Sequence, residues 1–396
     1  MKFYVIGISD SPEPHFSSEI QNIVASHTVF SGGARHREIV AGLLPDGYAW
    51  IEIAPPLNDV FQQYESHDEI VVFASGDPLF YGFACTIRRL KPDAEIVSFP
   101  HFNSLQLLAH RISMPYRDMR AVSLTGRDWA KFDESLIAAC ETIGILTDSK
   151  EHTPSAIAAR MLDYGYNNYT MTVGERLGNR ALERTHTCTP EEAVGQSFAF
   201  PNCLILQRTR IRPRPFGIPE SEFHLLDGRA KMITKMPVRL VLLGMLALRD
   251  KSVFWDIGFC TGSVSIEARL QFPHLQIFAF ERRAEAERLM NMNARKFGTP
   301  GISVLIGDFT QADISELPSP DAVFIGGHGG KLSEIVAIVA NALNDNGAIV
   351  FNSVSDKSAR LFEAATAASE LNPERSIRLK ADDFNSVLIM KATKRI

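Results

Sequence analysis

Three sites in the second half of the chain carry residues suited to holding a nucleoside: Gly258 and Gly262, then Glu281, then Asp308. Glycines let the backbone approach a bound molecule closely, and the N–H groups at a helix start favour a carboxylate or phosphate. Glu281 follows Gly258 by 23 residues, where an acid can accept both ribose hydroxyls. Asp308 is placed to reach an adenine. A dinucleotide pyrophosphate calls for G-x-G-x-x-G, whereas this chain has Gly258-x-x-x-Gly262, which favours S-adenosylmethionine over NAD. A glycine turn alone is weak evidence, because any strand-to-helix turn can contain one. The three sites in order are much stronger.

Further along, Gly326-Gly327-His328-Gly329-Gly330 puts four glycines in five positions, leaving backbone open to a flat substrate. His328 is the titratable group of that turn and can exchange a proton near neutral pH, although a lone loop histidine is more often incidental. Asn352 ends the next apolar run. Ahead of the first glycine turn, Arg210, Arg212, Arg214, Arg229, Lys231, Lys235, Arg239 and Arg249 form a basic cluster. It can bind a substrate with several carboxylates, Lys235 and Arg239 foremost, or it can be a solvated linker and helix face. The 5 cysteines form no C-x-x-C pair and the 11 histidines no two-ligand helix spacing, so no metal site is read.

These residues need a scaffold of strands ending at one edge. Val253–Ile257 reads as a buried parallel strand, Gly258–Gly262 as a tight turn and Ser263 onward as a helix. Strands follow at 276–280, 303–306, 321–325 and 348–351, and two more within 376–392 close a seven-stranded sheet. Pro237 starts a helix over 237–249. In the first half, strands are expected at 3–8, 50–53, 70–74, 95–98, 120–124, 143–147, 169–173 and 202–207. Helices are expected at 17–26, 57–65, 79–90, 103–112, 133–141 and 153–163, an α/β pattern with a largely parallel sheet. Asp77 and Pro78 are placed to cap and open the helix at 79.

A chain of 396 residues suits two domains, and 208–222, with three prolines and four arginines, reads as the linker between them. The predicted domains are 1–209 and 210–396. Hydrophobic content of 45% and charged content of 22% describe a soluble protein, and no apolar run reaches the ~18 residues that span a bilayer. The N-terminal apolar run reads as a strand, not a signal peptide, and the location as cytoplasmic. Residues 1–209 hold 17 Lys/Arg and 25 Asp/Glu, net −8, against 24 and 21, net +3, in 210–396. That is no excess on the scale that nucleic-acid binding requires.

Several motifs of the first half resemble the tetrapyrrole (corrin/porphyrin) methylase family, in its C5-methylating precorrin branch. They are Val5-Ile6-Gly7-Ile8, Gly32-Gly33-x-Arg35-His36, Ala74-Ser75-Gly76-Asp77-Pro78, Ser123-Leu124-x-Gly126-Arg127, Thr147-Asp148 with Thr153-Pro154, and Gly174-Glu175-Arg176-Leu177-Gly178. The resemblance implies two α/β subdomains with S-adenosylmethionine in a trough between them, bound by Gly7, Gly76 and Asp77. Ser9 stands where that family usually has a second glycine. The second half, through Gly217-Ile218-Pro219, Met232-Ile233-Thr234-Lys235 and Asp256-Ile257-Gly258-x-x-Thr261-Gly262-Ser263, is similar to the C15-methylating, decarboxylating precorrin methyltransferases. This implies a class I, Rossmann-like methyltransferase. Its cofactor residues map to Thr234, Gly258, Phe259, Cys260, Thr261, Gly262, Glu281, Asp308 and Phe309, and its substrate faces Asn352, beside the open turn of Gly326, Gly327 and Gly329 read above. Phe259-Cys260 fills a place usually held by small residues and glycine.

Together the two resemblances imply a fused enzyme that methylates precorrin-6B or cobalt-precorrin-6B at C5 and C15 and removes the ring C acetate carboxyl, in cobalamin biosynthesis. One S-adenosylmethionine per domain, an anionic tetrapyrrole substrate, no nucleic acid or membrane partner and a homo-oligomer are expected, with His328 and Asn352 as catalytic candidates. Two other readings compete: an RNA methyltransferase, and a cofactor-binding regulator without catalysis. Against the first, Phe324-Ile325-Gly326-Gly327 stands where base-amino methylases carry an Asn/Asp-Pro-Pro-aromatic motif, and basic-aromatic interleaving is missing.

Overall fold

Apolar runs without alternation, such as Ile70–Ala74 and Val253–Ile257, are suited to strands covered on both faces, as in parallel sheets. Both are central strands in the computed structural model, which describes residues 1–228, 232–380 and 386–394. The chain divides into two compact units, one of residues 1–127, 141–160 and 167–210, the other of 128–140, 161–166 and 211–396.

The first unit contains two sheets. In one, β1 (Lys2–Ile8), β2 (Val29–Gly32), β3 (Ala49–Glu52), β4 (Glu69–Ser75) and β5 (Glu95–Phe99) run parallel in the order β3-β2-β4-β1-β5. Residues of β1 alternate between two cores. Phe3 and Val5 pack with Val60, Phe61, Ala84 and Ile87, while Ile6 and Ile8 pack with Val24 and Val40. The other sheet has β6 (Arg120–Ser123), β7 (Thr142–Leu146), β8 (Tyr169–Glu175), β9 (Arg184–Cys188) and β10 (Asn202–Arg208) in the order β6-β7-β10-β8-β9. Only its β6–β7 pair is parallel, so the expected parallel arrangement holds for the first sheet and not for the second.

Two strands escaped the sequence pattern, β2 because it is four residues long and β9 because, as Arg-Thr-His-Thr-Cys on a sheet edge, it is almost wholly exposed. The helix expected from 79 begins at Phe83, behind Gly82. Asp77 instead closes a local turn, its Oδ1 accepting from Leu79 N at 2.8 Å.

In the second unit, β11 (Val253–Ile257), β12 (Gln276–Glu281), β13 (Ile302–Ile306), β14 (Ala322–Ile325) and β15 (Ala348–Ser353) run parallel. Antiparallel strands complete the sheet: β16 (Asn372–Pro373), β17 (Ile377–Leu379) and β18 (Val387–Thr393), in the order β13-β12-β11-β14-β15-β18-β16 with β17 also on β18. The described residues therefore form eight strands, not seven, because β18 pairs with two short segments, the first of which contains Pro373. Trp255, Phe280, Val323 and Phe351 pack into one face, and Phe254, Ile277, Phe324 and Val350 into the other. Strand order reverses beside β11, which opens a crevice at the carboxyl ends of β11 and β14.

The segment read as linker is partly core. Ile218 is buried in the second unit, so the loosely held stretch is shorter than 208–222. Pro237 sits in the first turn of the helix Met236–Leu246, which stops at Ala247 in a left-handed conformation. Arg229 and Lys231 of the basic cluster lie outside the described residues.

Candidate active site

The crevice is a cavity of about 890 Å³. Thr234, Lys235, Gly258, Phe259, Cys260, Glu281, Asp308, Phe309, the turn 326–330 and Asn352 all line it, so most of the residues singled out in the second half meet in one place. Gly258 (φ +79°) lets the chain turn at the end of β11. A Cβ there would lie 2.6 Å from Gly327 N, so the turns after β11 and β14 meet backbone to backbone. Cys260 is itself left-handed (φ +50°). Thr261 and Gly262 lie behind this lining: Thr261 is buried, and the space a Gly262 side chain would need holds the Met290 sulfur.

Glu281 is almost fully buried at the end of β12. Its Oε1 accepts from the backbone of Arg282 at 2.9 Å and Arg283 at 3.2 Å, and its Oε2 from Cys260 N at 3.2 Å. These bonds fix the carboxylate and use both lone pairs of Oε1, leaving acceptor capacity on Oε2. Asp308, after β13, caps the short turn 309–311 and pairs through Oδ2 with Lys331 Nζ at 2.8 Å. That hydrogen bond, with those from Thr310, holds its carboxyl at about 2, and the same contact raises the Lys331 ammonium.

His328 Nδ1 accepts from Gly330 N at 3.2 Å, which leaves the proton on Nε2. Desolvation lowers the imidazole from its ordinary value, so it is neutral at pH 7. Asn352 Oδ1 is buried without a hydrogen-bond partner. Behind the glycine turn, Asp256 is fully buried, its Oδ2 accepting from Ser265 Oγ at 2.6 Å, and burial pushes its carboxyl up to about 7.

Arg239 corrects an expectation. Its guanidinium is 0% exposed and pairs with the equally buried Glu267. It also donates to Thr234 O at 2.8 Å and to Ile218 O. No face of it is open to a substrate, since its donors hold Ile218 and the Thr234 carbonyl beside the cavity. Lys235 does reach the lining.

In the first unit, Gly7 is the next-to-last residue of β1, where a Cβ would fall 2.0 Å from Gly76 O and 2.8 Å from His101 N. Gly76 (φ +64°) has its own Cβ position blocked by Asn103 Cα at 2.8 Å. Chain packing thus already demands both glycines. Asp77 stands beside them in the turn described above.

A curated relative from a Sinorhizobium species, named as a precorrin-6Y C(5,15)-methyltransferase [decarboxylating], is 31% identical over 87% of this chain and 82% of its own length. The chain belongs to the precorrin-6Y C5,15-methyltransferase family. Tetrapyrrole (corrin/porphyrin) methylases match residues 2–194, and the precorrin methyltransferase domain matches residues 226–377. A cobalt-precorrin-6B C(15)-methyltransferase (decarboxylating) of Salmonella typhimurium is 40% identical over 31% of this chain and 62% of its own. A crystal structure of a precorrin-6Y C5,15-methyltransferase from Geobacter metallireducens is 33% identical, covers 46% of this chain and 100% of its own, and has a TM-score of 0.43.

A member of this methyltransferase family uses S-adenosylmethionine, and the cavity suits it. A fixed carboxylate with acceptor capacity on Oε2 ends β12, an acid follows β13, and Phe259 and Phe309 line the same cavity. Lys331, Arg282 and Arg283 also line the cavity and were not singled out from sequence. Lys331 directly follows the glycine turn and the two arginines directly follow Glu281, so each adjoins a residue marked by the sequence. Among the described residues no helix is long and apolar enough to cross a membrane.

Proposed function

We propose that this chain methylates precorrin-6B or cobalt-precorrin-6B at C5 and C15 and removes the ring C acetate carboxyl, a step of cobalamin biosynthesis. Residues 1–209 carry the C5 reaction, residues 210–396 the C15 reaction and the decarboxylation, with one S-adenosylmethionine each. The observation that carries this reading is the meeting of Gly258, Glu281, Asp308, the turn 326–330 and Asn352 around one cavity.

When bound, S-adenosylmethionine supplies an electrophilic methyl group; Glu281 would hold the ribose and Asp308 the adenine. The chain's own contribution is mainly placement, since holding a ring carbon in line supplies much of the rate of a displacement. Methylating a methine carbon forms a C–C bond while the methyl group's bond to sulfur breaks, the electron pair staying on sulfur as a neutral thioether, and the ring carbon then releases the proton it carried. Decarboxylation breaks the bond between the acetate methylene and its carboxyl, leaves the electron pair in the conjugated ring and returns a proton to the methylene. His328, with its proton on Nε2 and its Nδ1 lone pair taken by Gly330 N, presents an N–H donor to a substrate oxygen, and it takes up and returns a proton only when the Gly330 contact opens. Asn352 would orient the acetate through its amide, and Lys235 would pair with another carboxylate. The open backbone of 326–330 gives the flat ring room to approach.

A cytoplasmic homo-oligomer acting without nucleic acid completes this reading, and light scattering tests the assembly. The function itself is tested by supplying labelled S-adenosylmethionine and each corrinoid to the purified chain, then locating the methyl groups and counting carbon dioxide. For the division of labour, Glu281→Ala in the full chain should impair the C15 steps and spare C5 methylation. Asp77→Ala in the full chain should impair C5 methylation and spare the C15 steps.

A further inference from the structure

Asp10 lies two residues beyond β1 in the first unit and is almost fully buried. Two guanidiniums grip it: Arg35 Nη1 donates to Oδ1 at 2.7 Å, and Arg176 Nε donates to Oδ2 at 2.7 Å. One carboxylate therefore faces two cations. A single arginine would have neutralised Asp10, so the cluster keeps one positive charge in excess. Both guanidiniums are about a third exposed, at 35% and 31%, and neither spends all five of its donors on the protein.

The surroundings add a hydroxyl. Ser75 Oγ accepts from Arg35 Nη2 at 3.0 Å and stands 2.9 Å from His36 Nε2. His36 Nδ1 accepts from Gly33 N at 3.2 Å, which puts the ring proton on Nε2 and makes it a second donor to Ser75. With two donors on its oxygen, the exposed Ser75 has only its own O–H left to give. Ser75 immediately precedes Gly76-Asp77. Arg176, for its part, is held in the left-handed region (φ +50°), a conformation that persists in a non-glycine residue only when its surroundings enforce it. Its N–H donates to Pro201 O at 2.8 Å, and two residues on, a Cβ at Gly178 would lie 2.8 Å from Ser9 Cβ. The chain is thus constrained where Arg176 reaches Asp10.

We infer that Arg35, Arg176 and the Ser75 hydroxyl, aligned by Asp10, form a carboxylate-binding site of the first unit. This rests on the reading that the first unit performs the C5 methylation. The carboxylate can belong to an acidic side chain of the tetrapyrrole or to the amino-acid end of S-adenosylmethionine; guanidinium forks and a hydroxyl donor suit either.

The test uses the full chain with Arg35→Gln, Arg176→Gln and Arg35→Lys, following C5 and C15 methylation separately in the product. If the tetrapyrrole supplies the carboxylate, each glutamine variant should raise its KM for the C5 step about tenfold. The C15 step should not change, lysine at 35 should recover part of the loss, and salt should narrow the gap to the parent. If the cofactor supplies it, the KM for S-adenosylmethionine rises instead, and the gap closes when decarboxylated S-adenosylmethionine is the methyl donor. Either outcome supports the site. It is overturned if the parent methylates C5 while both glutamine variants keep both KM values within about twofold. It is equally overturned if C5 activity falls only in step with thermal stability and lysine gives no rescue, since the arginines then merely hold Asp10. A parent without C5 activity would sink the underlying reading and this inference with it.

Discussion

Gly258 and Gly327 touch backbone to backbone, with room for no side chain between them: a Cβ on Gly258 would lie 2.6 Å from Gly327 N. The cofactor turn and the proposed substrate turn therefore cannot shift independently. Gly258→Ala should disturb both, since the φ of +79° alone costs alanine about 1–2 kcal/mol before any clash. We expect C15 methylation and decarboxylation to fall together while C5 methylation persists. Loss of one C15-side activity without the other would contradict the coupling.

Glu281→Ala should weaken S-adenosylmethionine binding in the second unit by about 1.5–3 kcal/mol, roughly ten- to a hundredfold, through loss of charge-assisted hydrogen bonds. Calorimetric titration of a chain already carrying Asp77→Ala isolates this site. Unchanged affinity there would remove Glu281 from it.

Arg239 and Lys235 should behave differently despite standing four residues apart. Arg239→Met leaves Glu267 charged and buried without its partner, which should cost about 3–5 kcal/mol of stability. Lys235→Gln should cost far less stability than Arg239→Met and raise the tetrapyrrole's KM, more so at low salt. The opposite pattern, a stable Arg239 variant with a raised KM, would restore Arg239 to the substrate site.

How much of this was legible in the sequence follows from the range of each signal. The glycine turns and the acids at strand ends could be read because each is fixed by a strand and its next few residues. Arg239 could not, because its fate depends on Glu267, 28 residues away, and on Ile218 in a stretch whose prolines and arginines look solvated. The clamp on Asp10 spans residues 10 to 176 and has no local pattern at all. The eighth strand of the second unit's sheet was missed because a two-residue segment has too few positions to alternate.

Asp256 predicts an unusual pH response. Its folded carboxyl titrates at about 7 against an ordinary value of 3.8, so the folded state holds this proton more tightly than the unfolded chain. That contribution is complete below the ordinary value, declines as pH rises through about 7, and is lost above it. Asp256→Asn keeps an acceptor for Ser265 and cannot ionise. Its stability relative to the parent should rise between about pH 4 and about pH 8 and then level off. Scanning calorimetry across that range checks this, and parallel curves for the two proteins would refute it.

The central claim, two methylations and one decarboxylation by one chain, is tested most directly by mass spectrometry and NMR of a single corrinoid product. The purified full chain would be given methyl-labelled S-adenosylmethionine and either precorrin-6B or its cobalt form. The account predicts label at both C5 and C15, together with loss of one carboxyl as carbon dioxide. A product from either substrate that carries label at only one position, or that retains its ring C acetate after complete turnover, would contradict it.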